Sequence, residues 1–260
     1  MTMTPLQRAH YRLHNAITAL GLGPHRPVRL RTTPTGWAVD TEGQTIAIPS
    51  PLRWRMYRRG LAHRLARLAR QFGVGPMITL HPGDTVIDIG ANVGEFAMAC
   101  AAKGATVRSI EGDPAVFACL AQNTAHLPLV HPLHQVLWSH AEELTFFTAP
   151  ERADSSIIAD PNDPAYIPIK VAARPLDAIA AEQGWGDIAL FKCDVEGAEP
   201  EVLMGAKAVL ARTRLVAVDT GPERLGAETH DAVAKILTGL GFTVTRDTST
   251  KRKITFGTRA

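Results

Sequence analysis

The residues able to do chemistry in this 260-residue chain fall into two short runs that mix glycine with acids. The first is Asp84-Thr85-Val86-Ile87-Asp88-Ile89-Gly90-Ala91-Asn92-Val93-Gly94-Glu95-Phe96. Thr85 to Ile89 is β-branched apart from Asp88 and reads as a buried strand, after which Gly90 and Gly94 let the backbone turn sharply and approach a ligand. A helix is expected over 95–102, and a loop that feeds a helix start offers free backbone N–H groups to a polar ligand. The spacing departs from a dinucleotide turn: Ala91-Asn92-Val93 separates the glycines, and Asp88 stands two residues ahead of the first. A carboxylate there opposes a pyrophosphate and suits a positive amine or sulfonium, the groups that S-adenosylmethionine (SAM) carries.

A second strand, Thr106-Val107-Arg108-Ser109-Ile110, ends in Glu111, and Asp113-Pro114 supplies the N-cap and first position of the next helix. An acid about 20 residues beyond the glycine turn is placed to accept hydrogen bonds from two ribose hydroxyls. The competing account, a structural β–α turn that holds no ligand, leaves Asp88 and Glu111 without a purpose.

The other run is Phe191-Lys192-Cys193-Asp194-Val195-Glu196-Gly197-Ala198-Glu199. Together with residues 86–94 it resembles the FkbM-type family of SAM-dependent methyltransferases, in which a D-x-G-A-N-x-G turn is paired with a later K-x-D-V-E-G-A-E segment. The resemblance extends from about residue 80 to the C-terminus and takes in Leu176-Asp177 and Glu201-Val202-Leu203-Met204-Gly205-Ala206. It implies a class I methyltransferase fold and, as in the best known members, O-methylation of sugars or natural products. Asp88, Gly90, Ala91, Asn92, Gly94, Glu95 and Glu111 are then the expected SAM-binding residues. Trp138 either flanks the adenine or packs under the sheet edge.

Methyl transfer from a sulfonium is an in-line displacement accelerated largely by positioning, and an alcohol acceptor must also lose its proton. Asp194, at the carboxyl end of the fourth strand, is the first candidate for that base, with substrate orientation and turn bracing as its competing roles. Glu196, just beyond it, either binds the methionine amino group or braces the turn. Both acids are expected to border the reaction centre. His131, His134 and His140 are further candidate bases or ordinary surface histidines. Asp219, at the end of the fifth strand, joins Asp194 in a variant in which the two carboxylates hold Mg²⁺; the family pattern more often has Glu there, and two carboxylates are few for a hard cation. Glu199 and Glu201 read as stabilising a helix N-terminus. The polar stretch 149–168, with Ser155 and Ser156, is the expected acceptor lid.

These residues require a scaffold of alternating elements. Strands are expected at 85–89, 106–110, about 129–138, 188–193 and 215–218, and helices at 95–102, 114–125, 176–183, 200–211 and 228–240. A hairpin is expected around 143–148, and strands 242–246 and 253–257 end the chain. The alternation argues an α/β parallel sheet covered on both faces. The family resemblance makes it the doubly wound, Rossmann-like, mostly parallel seven-stranded sheet of class I methyltransferases, closed by an antiparallel hairpin. The carboxyl ends of strands one, two and four then share the edge where ligands bind.

Residues 1–79 read as a small basic α+β cap on a methyltransferase domain at 80–260. Through Leu80 the chain holds 12 arginines and only two acids, Asp40 and Glu42, whereas the rest is net acidic. A helix is expected over 5–20, short strands at 28–31, 36–39 and 45–48, and a long basic amphipathic helix over 51–72. Its basic face either pairs with the acidic domain, recognises a phosphate-bearing acceptor such as a nucleotide sugar, or meets an anionic membrane or RNA. No aromatic stacking platform accompanies the arginines, which weakens the nucleic-acid version. The cap either covers the SAM cleft or builds a homodimer interface. Two other functions stay open: an RNA methyltransferase or binding protein, and a catalytically silent SAM-binding partner subunit.

At 45% hydrophobic and 20% charged, the composition is that of a globular domain, and no apolar run reaches the ~20 residues of a membrane span. No signal peptide pattern opens the chain, so a cytoplasmic address is expected. Cys100, Cys119 and Cys193 are isolated in apolar elements and are expected to be buried and reduced.

Overall fold

The computed structural model describes residues 3–33, 36–149, 151, 154–248 and 252–259. The chain begins with helix α1 (Pro5–Ala19), capped by reciprocal Thr4 and Gln7 hydrogen bonds, and an antiparallel meander of β1 (Arg29–Thr33), β2 (Gly36–Thr41) and β3 (Gln44–Ile48). A 3₁₀ helix over Pro51–Tyr57 precedes helix α2 (Leu61–Gln71). The single helix expected over 51–72 is broken at Gly60, which adopts φ 87°. A Cβ there would fall 2.3 Å from the Glu42 carboxylate, which instead accepts the Ala62 N–H at 3.0 Å and so caps α2 from outside.

The remaining elements run β4 (Thr85–Ile89), α3 (Glu95–Ala101), β5 (Thr106–Glu111), α4 (Pro114–Thr124), β6 (Val130–His134), β7 (Val136–Leu137), β8 (Glu142–Thr148) and β9 (Ile167–Arg174). They continue with α5 (Leu176–Glu182), β10 (Ile188–Cys193), α6 (Glu199–Met204), α7 (Lys207–Ala211), β11 (Thr213–Asp219), α8 (His230–Gly239), β12 (Thr243–Asp247) and β13 (Ile254–Thr258).

Seven strands form one sheet in the order β12-β13-β11-β10-β4-β5-β6, parallel from β11 through β6 and closed by antiparallel β13 and β12. This is the expected α/β, Rossmann-like class I methyltransferase sheet with its terminal hairpin. Alternating side chains feed two cores. Val86, Leu215 and Ala217 pack with Phe96, Ala97 and Cys100 of α3, while Ile87, Ile89, Val216 and Val218 pack with residues of α5 to α8. The direction of winding reverses between β4 and β10, which leaves a crevice at their carboxyl ends.

Two expected elements divide. The third strand stops at His134, and β7 leaves the main sheet to pair with β9 in a separate sheet of order β7-β9-β8. The helix expected over 200–211 is interrupted at Gly205, where a Cβ would lie 2.2 Å from the Trp138 carbonyl. The cap is stitched to the core by Asn123 of α4, which accepts the Ala47 N–H and donates to the carbonyls of Ala47 and Val93 at 2.7–3.0 Å. Trp54 and Tyr57 are fully buried in the same cluster as Val93 and Val116. All three cysteines are free and buried. Among the described residues no helix is long and apolar enough to cross a membrane.

Candidate active site

Where β4, β5 and β10 end, a cavity of about 320 Å³ opens between the sheet edge, α2 and the segment that follows β8. Its floor is the turn after β4. Gly90 adopts φ 69°, and a Cβ there would fall 1.8 Å from the Asp194 carbonyl, so only glycine lets this turn seat against the end of β10. Asn92 also lies in the left-handed region, at φ 54°, and its Oδ1 accepts hydrogen bonds from Val93 N–H and the Arg53 guanidinium. Glu111, at the end of β5, accepts the Asn92 N–H on Oε2 at 2.8 Å and the Asp113 N–H on Oε1 at 2.9 Å. Burial pushes its carboxyl up to about 7 against those two hydrogen bonds. Gly90, Ala91, Asn92, Glu95 and Glu111 all line the cavity.

Asp88 does not line it, which corrects the expectation that this acid meets a positive ligand. It is fully buried beneath the turn, level in register with Lys192 of β10. Lys192 Nζ lies 3.0 Å from Asp88 Oδ1, an ion pair off the hydrogen-bond axis, and directs protons to the carbonyls of Ile89 and Gly90 at 2.9 and 2.8 Å. Burial raises the Asp88 carboxyl, and the lysine charge offsets part of that rise. Asp88 therefore acts on the turn from below. Gly94, at φ 98°, starts α3 against Leu120 and Thr124 and is likewise outside the cavity lining.

Beyond β10 the cavity wall is acidic. Asp194 Oδ2 and Asp219 Oδ2 share the guanidinium of Arg252, whose Nη1 donates to them at 2.7 and 2.6 Å. The space between the two carboxylates, weighed above as a Mg²⁺ seat, holds that guanidinium. Their charges hold Arg252 protonated far above neutrality. Glu196, at φ 55°, is pushed up to about 9, and Glu223 to about 10, by burial and then by the Asp194 charge. Carboxylate oxygens of Asp194, Glu196 and Glu223 lie within 4.8 Å of one another. Turn bracing falls to Glu199, which accepts the N–H groups of Val195 and Gly197 and the Thr229 hydroxyl. Glu201 forms a two-pronged pair with Arg224 at 2.9 and 2.8 Å.

The cap and the expected lid supply the remaining walls. Arg64 of α2 donates to Glu95 at 3.2 Å, and the Tyr57 hydroxyl donates to the same carboxylate at 2.9 Å. Burial alone would raise Glu95, but Arg64, Arg53 and Tyr57 outweigh it and hold the group below its usual value. Arg67, one turn further along α2, stands at the cavity wall and donates to Gln71 at 3.2 Å. Asp154, Ser155 and Ile157 line the opposite side. Ser155 Oγ donates to Asp113, and Ser156 Oγ to the Glu196 carbonyl, each at 2.7 Å. Residues 150, 152 and 153 of the expected lid lie outside the described residues.

Trp138 is not at the cavity; it packs against the Val136, Phe146 and Ala173 cluster of the small sheet, the second of the two roles weighed for it. None of the three candidate histidines reaches the cavity either. His134 stacks on Phe117, His140 pairs with Glu142, and His131 sits beside Arg108 with its pKa lowered first by burial. Sequence reasoning missed Arg252, Glu223 and the pairing role of Lys192. A lone lysine inside the apolar run Ile188–Cys193 was a readable signal, because a buried ammonium demands a partner. Arg252 carried none, since its partners come from two distant strand ends.

The sequence model of the methyltransferase FkbM domain matches residues 88–244. Over 205 residues the chain is 29% identical to 31-O-demethyl-FK506 methyltransferase FkbM of Streptomyces tacrolimicus, covering 64% of this chain and 75% of that protein. Among solved structures it resembles fibrillarin of Aeropyrum pernix with bound SAM, at 11% identity and TM-score 0.45 over 88% of this chain and 82% of that one. It also resembles magnesium protoporphyrin IX methyltransferase of Synechocystis PCC 6803 with bound SAM, at 14% identity and TM-score 0.43 over 77% and 78%.

Proposed function

Because the chain belongs to the FkbM methyltransferase family, we propose that it moves the methyl group of SAM to a hydroxyl of a small acceptor such as a sugar, a sugar nucleotide or a natural product. The observation that carries this reading is the distribution of acid in one cavity: Glu111 at the end of β5, and Asp194 with Glu196 beyond β10. Such a wall suits a ligand with a diol at one end and a cation at the other. SAM supplies an electrophilic methyl group on a sulfonium. Glu111 keeps lone pairs for ribose hydroxyls after its two backbone hydrogen bonds, and Gly90 to Asn92 shape the floor.

Asp194 is the proposed base for the acceptor hydroxyl. Among the described residues its Oδ1 has no hydrogen-bond partner, whereas Oδ2 is taken by Arg252. Glu196 stands beside Asp194 at the cavity wall, where a cationic group of the ligand would favour its ionised carboxylate against the burial and the Asp194 charge that raise it to about 9. Methylation at oxygen is favoured by the name of the Streptomyces relative, an O-demethyl compound's methyltransferase. An anionic group on the acceptor would meet Arg67 at the cavity wall.

Titration calorimetry with SAM tests the cofactor assignment. Glu111→Ala should weaken binding about 10–100-fold, the loss of hydrogen bonds to a charged group. Asp194→Asn should keep SAM affinity within about threefold while transfer of labelled methyl to a panel of hydroxylated acceptors falls at least ~100-fold. Label recovered on nitrogen, carbon or RNA would overturn the acceptor class.

A further inference from the structure

Helix α1 is inverted relative to an ordinary core helix. Its inner face carries Tyr11, His14 and Asn15 with Ile17 half-buried beside them, whereas its outer face carries Leu6 and Leu13 and runs on to the C-cap Leu20, which are 80%, 59% and 73% exposed. Exposed Ala9 and Ala16 fall between them at heptad spacing, and Leu22, 57% exposed, lies just past the helix end. Isolated exposed leucines are unremarkable, but a continuous stripe along one helix marks an interaction surface.

Specific bonds fix the inversion. The Tyr11 hydroxyl donates to the Val28 carbonyl at 2.9 Å and accepts the Leu30 N–H at 3.0 Å. Asn15 donates to the same carbonyl at 2.9 Å and accepts the Val28 N–H at 3.0 Å. His14 is buried, within 3.0 Å of the Arg26 carbonyl and packed on Trp54. Rolling α1 to hide its leucines would strand all of these groups without partners. The leucines therefore face outward by construction.

The charge around the stripe selects its partner. Arg8 and Arg12 on α1, and Arg29 on the neighbouring strand, are exposed and form no ion pair among the described residues, and no acid occurs in the first 39 positions. A second copy fits poorly. It would set these arginines against their own counterparts, and four leucines with two alanines fall short of the ~800 Å² per partner of a stable interface. Apolar side chains rimmed by arginine match the headgroup boundary of an anionic bilayer.

We propose that α1 is a peripheral membrane-docking helix that seats Leu6, Leu13 and Leu20 in the surface of an anionic bilayer while Arg8 and Arg12 meet its phosphates. α1 contributes nothing to the cavity lining, so its variants leave SAM binding as a check on folding.

The full chain is sedimented with vesicles of phosphatidylcholine alone and with vesicles containing about one-third phosphatidylserine. The expected result is binding at least ~10-fold stronger to the anionic vesicles, weakened by salt and by Arg8→Gln with Arg12→Gln. Leu13→Glu should lower it at least ~10-fold with SAM affinity unchanged. Equal binding to both vesicles, indifference to Leu13→Glu, or a concentration-dependent dimer abolished by Leu13→Glu in a protein that ignores vesicles would each overturn the proposal.

Discussion

Lys192 lines the cavity, yet its charge is spent on holding the glycine turn in place. It is 3% exposed inside a strand, a position a lysine occupies only with a full set of partners, and here these are Asp88 and two carbonyls of the glycine turn. Lys192→Met should cost about 3–5 kcal/mol in urea unfolding, because it leaves Asp88 buried without its counter-charge. Adding Asp88→Asn should restore much of that loss. A double variant no more stable than the single one would show that the two residues do not act as a pair. Read along the chain, Asp88 looks like a ligand residue because nothing in its own strand reveals the lysine beside it. The same limit hid Arg252, whose two carboxylates end β10 and β11, whereas Glu111 was legible from its place at the end of β5.

At the scale of elements, the strands that carry the site were readable because they are buried on both faces and so run as apolar stretches bounded by glycine or acid. β9 was not. It follows a polar stretch, alternates exposed and half-buried positions, and contains Pro168, which counts against a strand. The proline is tolerated because β7 covers only the Ala173 and Arg174 end of β9. Gly205, a single residue, decides another feature that periodicity cannot show, the break between α6 and α7 against the Trp138 carbonyl. Gly205→Ala should destabilise by about 1–3 kcal/mol through that overlap. Thermal unfolding would check it, and a neutral result would mean that α6 and the chain after β7 shift apart freely.

For the whole molecule, the acids gathered at the sheet edge set the response to pH. Burial pushes Glu111 and Glu199 up to about 7, Glu196 to about 9 and Glu223 to about 10, whereas in the unfolded chain such groups release their protons near 4.5. Between those limits the folded protein holds protons that the unfolded chain has lost, so the contribution of these acids to stability is full below about pH 4.5 and falls as pH rises from there to about 10. Calorimetric melting of the ligand-free protein should trace that decline, and a melting temperature that climbs over the same range would contradict the assignment. Glu95 and Asp40, held below their usual values, matter only at the acid end. A different kind of whole-molecule behaviour follows from Asn123, whose one amide clasps both Ala47 of the cap and the Val93 carbonyl in the glycine turn. Fluctuations that lift β3 must loosen the turn as well, so the two regions open as one cooperative unit. A ligand held on the turn will therefore slow hydrogen–deuterium exchange at the Ala47 amide, in a strand that has no wall in the cavity.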